Sequence, residues 1–287
     1  MKTPLRYPGG KSRALKKLNH FLPDLNGYTE WREPFLGGGS MSIDITKRYP
    51  DLKVWVNDLY YPVYNFWKHL QDSGDQLSHS LEELKESHPE PEDAKRLFLH
   101  AKEHIGTDGD EFKDAIRFYI INKCSFSCLS ESSSFSKQAS VSNFSMLGIR
   151  KLPYYHKIIK DWKITNQSYE TLLTNDPGIF TYLDPPYEIR SNLYGKKGSM
   201  HKAFDHDVFA ETCSNYTGHQ LISYNDSCMI KDRFNSKWSV DTYPLTYTMR
   251  SVGEYMRDQQ QRKELLLLNY GIKRLAEFDQ SNEEESN

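Results

Sequence analysis

No run of apolar residues in this 287-residue chain approaches the length of a membrane-spanning helix. The N-terminal stretch also lacks the apolar core of a secretory signal peptide. With a mean hydropathy of −0.74, these absences predict an intracellular protein with no membrane partner. Cysteine is scarce. Cys124, Cys128, Cys213 and Cys228 form no C-x-x-C pair, which argues against a zinc site and for reduced thiols that carry no chemistry. A basic surplus is missing too: the formal charge is −2, whereas nucleic-acid binding usually leaves a basic footprint. Much of that deficit lies in 277–287, EFDQSNEEESN, with five acids and no base. Without it, 37 basic side chains face 34 acidic ones and the balance becomes +3. This composition predicts a disordered acidic tail. Elsewhere basic residues cluster: Lys2, Arg6, Lys11, Arg13, Lys16 and Lys17 at the start, and Arg190, Lys196, Lys197 and Lys202 later. Such clusters usually just face water, and a solvated surface is the alternative to phosphate contact.

Two nucleotide-binding signatures are absent as well. The stretch Tyr7-Pro8-Gly9-Gly10-Lys11-Ser12 ends like a phosphate-binding loop. That loop requires G-x-x-x-x-G-K-[ST], so that successive backbone N–H groups curl around phosphates. Leu5 stands where its first glycine belongs, and too few residues precede Tyr7 for the strand that should lead into it. A turn that starts a helix in SRALKKLNHFL is the simpler reading. The glycines of FLGGGS, residues 35–40, do not follow G-x-G-x-x-G either, so a dinucleotide is not expected.

What is present is a strand–helix alternation with an interruption. An apolar strand around Trp31–Phe35 runs into three glycines and a helical SMSIDITKRY; KVWVN follows as an alternating strand with Asn57-Asp58 at its end. Residues 59–112 read mainly as helices, and EFKDAIRFYIINK as another. Residues 125–145 hold ten serines, with Phe126, Phe135 and Phe144 evenly spaced among them. The phenylalanines favour a structured loop or hairpin over a low-complexity linker. Alternation then returns with GIFTYL, a helix in DHDVFAETCSNY, a strand in HQLISYND, and the continuous apolar strand KELLLLNY with WSVDTYPLTY as its hairpin partner. The reading is an α/β core interrupted by a mostly helical insert.

Two loops at strand ends carry the chemical signal. Open α/β sheets bind ligands outside the carboxyl ends of their strands, and a glycine turn there lets backbone approach a ligand closely. Asp58, about 20 residues after the middle glycine, has the spacing of a carboxylate that accepts from ribose hydroxyls. A tight turn with a surface aspartate is the competing reading. The second loop, Asp184-Pro185-Pro186-Tyr187, is more specific. Its prolines end the strand ladder and fix carbonyl directions, and Tyr187 adds a ring face. Acceptors beside an aromatic platform suit a planar group bearing an amine, such as an adenine turned out of its duplex. A rigid Pro-Pro turn is the structural alternative. Asp-His-Asp at 205–207 reads as a helix N-cap by Asp205 or Asp207 rather than a metal site.

At these residues the sequence resembles the D12-class, Dam-like DNA N6-adenine methyltransferases. YPGGK is similar to that family's N-terminal motif, EPFLGGGS to its cofactor loop, Asn57-Asp58 to its ribose-binding acid and TYLDPPY to its catalytic motif. LISYND and RKELLLLNY look like its later strands. The likeness covers most of 5–58 and 177–271. It implies a Rossmann-like methyltransferase sheet, mostly parallel with a C-terminal antiparallel strand, and an inserted, mainly helical target-recognition region. The implied division is 1–58 and 166–276 as the catalytic domain, 59–165 as the insert and 277–287 as the tail. It implies S-adenosylmethionine as cofactor, contacted by Tyr7, Lys11, Asp58 and Asp184, with the loop Phe35, Gly37, Gly38 and Gly39 around its methionine end. Asp184, Pro185 and Tyr187 would hold the target adenine; no metal is implied. The partner would be double-stranded DNA, and the setting the cytoplasm of a prokaryotic or phage-infected cell.

One departure from the family bears on specificity. Relatives that read GATC carry a basic hairpin in the insert, whereas 125–145 has Lys137 as its one clear base, flanked by Lys123 and Arg150. Guanine is usually read in the major groove by Arg or Lys, so GATC readout is not expected. DNA contact is assigned to Lys123, Lys137 and Arg150 and to Arg190, Lys196, Lys197 and Lys202.

Overall fold

Strands rich in Trp, Val, Ile, Phe and Leu build a seven-stranded sheet whose inner strands are buried on both faces and whose two edge strands are partly exposed. The computed structural model describes residues 3–7, 9–126, 133–188, 203–234, 237–245 and 262–271. In chain order, a 3₁₀ turn (Lys11–Arg13) and a short α1 (Leu15–Asn19) lead to β1 (Glu30–Glu33), α2 (Ser40–Arg48) and β2 (Lys53–Asn57). Helices α3 (Tyr61–Ser87), α4 (Pro91–His104), α5 (Glu111–Cys124), α6 (Lys137–Ser142), α7 (Met146–Ile149) and α8 (Leu152–Ile159) follow. The chain then returns through β3 (Lys163–Thr165), β4 (Ile179–Leu183), α9 (His206–Ser214), β5 (His219–Asn225), α10 (Cys228–Arg233), β6 (Ser239–Leu245) and β7 (Arg262–Leu268).

The strand order is β3-β2-β1-β4-β5-β7-β6. Strands β3, β2, β1, β4 and β5 are mutually parallel, and β7 runs antiparallel between β5 and β6. This is the expected mixed α/β sheet. The order reverses between β1 and β4, which makes the carboxyl ends of those two strands the topological switch point where ligands bind in open sheets. The glycine loop and the Asp-Pro-Pro-Tyr turn both start there.

Period-two alternation explains the double burial. Phe180, Tyr182, Leu221, Leu266 and Leu268 join the large core that includes α2, α3, α5 and α8, while Leu183, Ile222, Tyr224, Leu265 and Leu267 pack with α9 and α10. The run Leu265–Leu268 is therefore apolar at successive positions because both of its faces are covered. The large core is continuous from the sheet into the helical region.

Several expectations are refined. The first helix, read over SRALKKLNHFL, divides into the 3₁₀ turn and the five-residue α1. Strand β1 ends at Glu33, before Pro34. Lys163–Thr165, read as part of the insert 59–165, pairs with β2 and so belongs to the sheet; three residues are too short to show a period. In the serine-rich stretch, Ser136 and Ser145 cap α6 and α7 through their side chains, and Ser125 bridges to Phe135. Phe144 is fully buried and Phe126 exposed. Residues 127–132 of that stretch, the tail 277–287 and the basic segment around 190–202 lie outside the described residues. Asp205 caps α9, accepting from Asp207 N and Val208 N, and no metal-holding cluster occurs among the described residues. Among them, no helix is long and apolar enough to cross a membrane.

Candidate active site

The YPGGK turn folds back on itself. Gly10 N donates to Tyr7 O at 3.1 Å, and Gly9 takes a φ of 71° that favours glycine. The 3₁₀ turn that follows buries Lys11, whose Nζ donates to Asp184 Oδ1 at 2.7 Å, Asp184 Oδ2 at 2.8 Å, the Tyr187 hydroxyl at 2.8 Å and Gly9 O at 3.0 Å. Glu264 Oε2 lies 3.6 Å from the same ammonium. Burial works against the Lys11 charge, but Asp184 and Glu264 outweigh it and hold the group protonated well above its usual range. Burial likewise lifts Asp184, to about 6, with Lys11 opposing the rise and Glu264 adding to it.

The glycine loop is shaped by close approach. Gly37 and Gly39 have φ of 47° and 66°. A Cβ on Gly37 would lie 2.7 Å from the Tyr7 ring, and one on Gly39 2.7 Å from the Trp67 ring. Trp67 Nε1 donates to Gly37 O at 2.9 Å, which ties the loop to α3. Asp58 closes the loop from the end of β2: Oδ2 accepts from Gly37 N at 2.8 Å and Oδ1 from Tyr60 N at 2.9 Å. Its pKa rises to about 6 through burial, against those two hydrogen bonds. Phe35 stacks on Tyr169 with centroids 5.5 Å apart and meets Phe204 edge-on.

These parts enclose one cavity of about 290 Å³, walled by Tyr7, Lys11, the glycine loop, Asp58, Tyr169, Asp184, Pro186 and Phe204. Among the described residues, Glu33, Asp58, Glu170, Asp184 and Asp205 line it, against the single base Lys11. A triphosphate would meet carboxylates and one already paired lysine. A cationic nucleoside fits this wall: acceptors surround its charge, the aromatic pair offers a face to a base, and the glycine loop admits backbone-close contact.

The expected site residues Tyr7, Lys11, Phe35, Gly37, Gly38, Gly39, Asp58, Asp184, Pro185 and Tyr187 are thus brought together at the switch point. Two details go beyond what was expected. Lys11 spends its ammonium on Asp184 and Tyr187 in this structure. Tyr187 is half-buried, stacks one face on Tyr224 at 5.9 Å and donates its hydroxyl to Glu264.

The expected DNA contacts fare unevenly. Lys123 is buried in the last turn of α5, its Nζ 5.2 Å from the Tyr119 ring, so it is corrected from a surface contact to a core cation. Every residue from Ala115 to Cys124 is buried in that helix, which leaves no outward face for it. Lys137 is exposed at the start of α6. Arg150 is exposed and pairs with Glu82 at 3.0 Å. Arg190, Lys196, Lys197 and Lys202 lie outside the described residues.

Two carboxylates at the site carry no expectation from sequence. Glu33 is buried at the end of β1 and accepts from Ser42 N at 3.0 Å and from the Ser42 hydroxyl. Burial pushes it up to about 8 against those bonds. Glu264 accepts from the Tyr187 hydroxyl and, at 3.3 Å, from that of Tyr243. Its available signal is a lone acid in an apolar strand.

Comparison with known proteins agrees with this geometry. The curated Type II methyltransferase M.MjaIII of Methanocaldococcus jannaschii is 24% identical over 197 residues, covering 64% of this chain and 68% of that protein. The family model described as D12 class N6 adenine-specific DNA methyltransferase matches residues 7–252, from the tyrosine of YPGGK past the Asp-Pro-Pro-Tyr turn. With both strand-end loops and the wall between them inside that span, the chain belongs to the D12 class of N6 adenine-specific DNA methyltransferases.

Proposed function

We propose that the protein transfers a methyl group from S-adenosylmethionine to the exocyclic N6 amine of adenine in double-stranded DNA. The observation that carries this reading is that Asp184 belongs at once to the wall of the acid-lined cavity and to the rigid Asp-Pro-Pro-Tyr turn beside it. Tyr7, the glycine loop, Asp58 and the Phe35–Tyr169 pair would hold the cofactor, which supplies an electrophilic methyl on a sulfonium.

The work left to the chain is to place and sharpen a poor nucleophile. The adenine amine is weak because its lone pair conjugates into the ring. Acceptors at the Asp184 carboxylate and the Pro185 carbonyl draw on its hydrogens and favour a pyramidal nitrogen with a localised lone pair. The two prolines hold those acceptors still. The Tyr187 face opposite Tyr224 offers stacking to an extruded base, and stacking of this kind contributes roughly 1–3 kcal/mol. Lys11 keeps Asp184 ionised and oriented. With Asp184 lifted to about 6, the acidic limb of the rate should fall near that pH. The name of the Methanocaldococcus relative supports a modification role of the Type II kind.

The test is transfer of labelled methyl from S-adenosylmethionine to unmethylated duplex DNA, followed by hydrolysis to nucleosides. Label in N6-methyladenine, lost by about a thousandfold or more in Asp184→Ala, supports the proposal. Label confined to RNA or protein, or duplex binding without transfer, overturns it.

A further inference from the structure

Strand β7 contributes one charged side chain to the buried interior of the site. Glu264 is 1% exposed, whereas the Leu265–Leu268 run that follows it is wholly apolar. A buried carboxylate is expensive unless it is paired and hydrogen-bonded. Here the Tyr187 hydroxyl and, at 3.3 Å, the Tyr243 hydroxyl donate to it, and the Lys11 ammonium pairs with it electrostatically at 3.6 Å. Glu264 is not among the residues that wall the cavity, so any effect on transfer must pass through those it touches.

We infer that Glu264 is a positioning residue for the transfer: from behind the site it anchors the Tyr187 hydroxyl and shares the Lys11 ammonium with Asp184. The inference rests on the transfer reading above. Its physical content is the sharing of one cation between two carboxylates. If Asp184 were the sole partner of Lys11, the ion pair would tighten and its oxygens would be poorer acceptors for an amine. With Glu264 as a second anchor, the lysine and the tyrosine ring are held while Asp184 keeps acceptor capacity toward the cavity. The groups facing Asp184 are Lys11 from the 3₁₀ turn, Glu33 from β1, Tyr182 from β4, Tyr187 from the turn, Tyr243 from β6 and Glu264 from β7. Of these, Glu264 is the carboxylate that adds to the proton affinity of Asp184. Removing its charge therefore moves the acidic limb of the rate downward.

The experiment uses the full chain with labelled S-adenosylmethionine and unmethylated duplex DNA from pH 5 to 9, with melting and cofactor binding measured in parallel. Glu264→Gln keeps an acceptor for the tyrosines without the charge. It should melt and bind cofactor like the parent, lose plateau rate because Asp184 then holds Lys11 alone, and shift the acidic limb down by about half a pH unit or more. Glu264→Ala leaves the hydroxyls and the lysine short of an acceptor and should lose about tenfold or more in kcat with little change in KM. An Ala variant at the parental rate, or a Gln variant whose limb stays in place, overturns the inference while Asp184→Ala remains inactive. Should Glu264→Ala not fold, the limb of Glu264→Gln decides alone. If Asp184→Ala itself transfers normally, it is the reading of the site that fails, and the role of Glu264 with it.

Discussion

At the scale of single residues, the site is dominated by carboxylates held where water is scarce. Glu33 is the extreme case. Its folded pKa of about 8 lies above the unfolded value of 4.5, so across that interval the folded chain keeps a proton that the unfolded chain releases. The associated stability is fully present below about 4.5 and is lost as pH rises through 8. Glu33→Gln should flatten this loss: between pH 6 and 9 the melting temperature of the parent should drop by several degrees and that of the variant by clearly less, as a calorimetric scan would read. Lys11→Met would leave the half-buried Asp184 and the buried Glu264 as neighbouring carboxylates without their cation, at a cost of about 3–5 kcal/mol. Its melting deficit at pH 8 should shrink at pH 5, where Asp184, lifted to about 6, takes up a proton, and transfer should be absent at both. Neither group was equally visible beforehand. Lys11 stands in a recognisable turn, but its contact with Asp184 spans 173 positions of chain, and such a contact is written only in the topology.

At the scale of elements, glycine and serine mark the places where parts come close. Gly39→Ala would need a β-carbon at a φ of 66° and 2.7 Å from the edge of the Trp67 ring. The backbone term alone is roughly 1–2 kcal/mol. Titration with S-adenosylmethionine should show weakened binding, together with a lower melting temperature. Gly38→Ala, with no positive φ and a 3.1 Å approach to Tyr7 Cβ, should lose less. Helix α3 bends at Ser73, whose φ of −144° is not helical, beside a Gly74 whose Cβ would lie 2.4 Å from His156. His156 Nδ1 donates to Leu70 O at 3.1 Å and meets a carbonyl near the bend. The sheet, its parallel core and both strand-end loops were legible because period and punctuation agree there. The 3₁₀ turn at Lys11, the three residues of β3 and the burial of Lys123 were not. Each is decided by what packs against the segment, and a cation in a helix reads as surface until its neighbours are known.

At the scale of the whole molecule, charge and connectivity set the remaining behaviour. The five acids of 277–287 repel phosphate. Their deletion should leave transfer largely intact and tighten duplex binding at low salt, with the gain fading as salt approaches about 0.5 M. Parallel binding isotherms at two ionic strengths would check this. The resident acids of the cavity lie on strands and loops from both halves of the chain, and the cluster around Lys11 needs Glu264 from β7. That strand enters between β5 and β6, and β6 joins the sheet through it. A ribosome that has yet to deliver residue 264 therefore carries a chain whose sheet has an open edge and whose key tyrosine lacks its anchor. On the proposed reading, transfer would wait until residue 264 is in place, and a message cut short before that codon would yield a silent product rather than a half-working one.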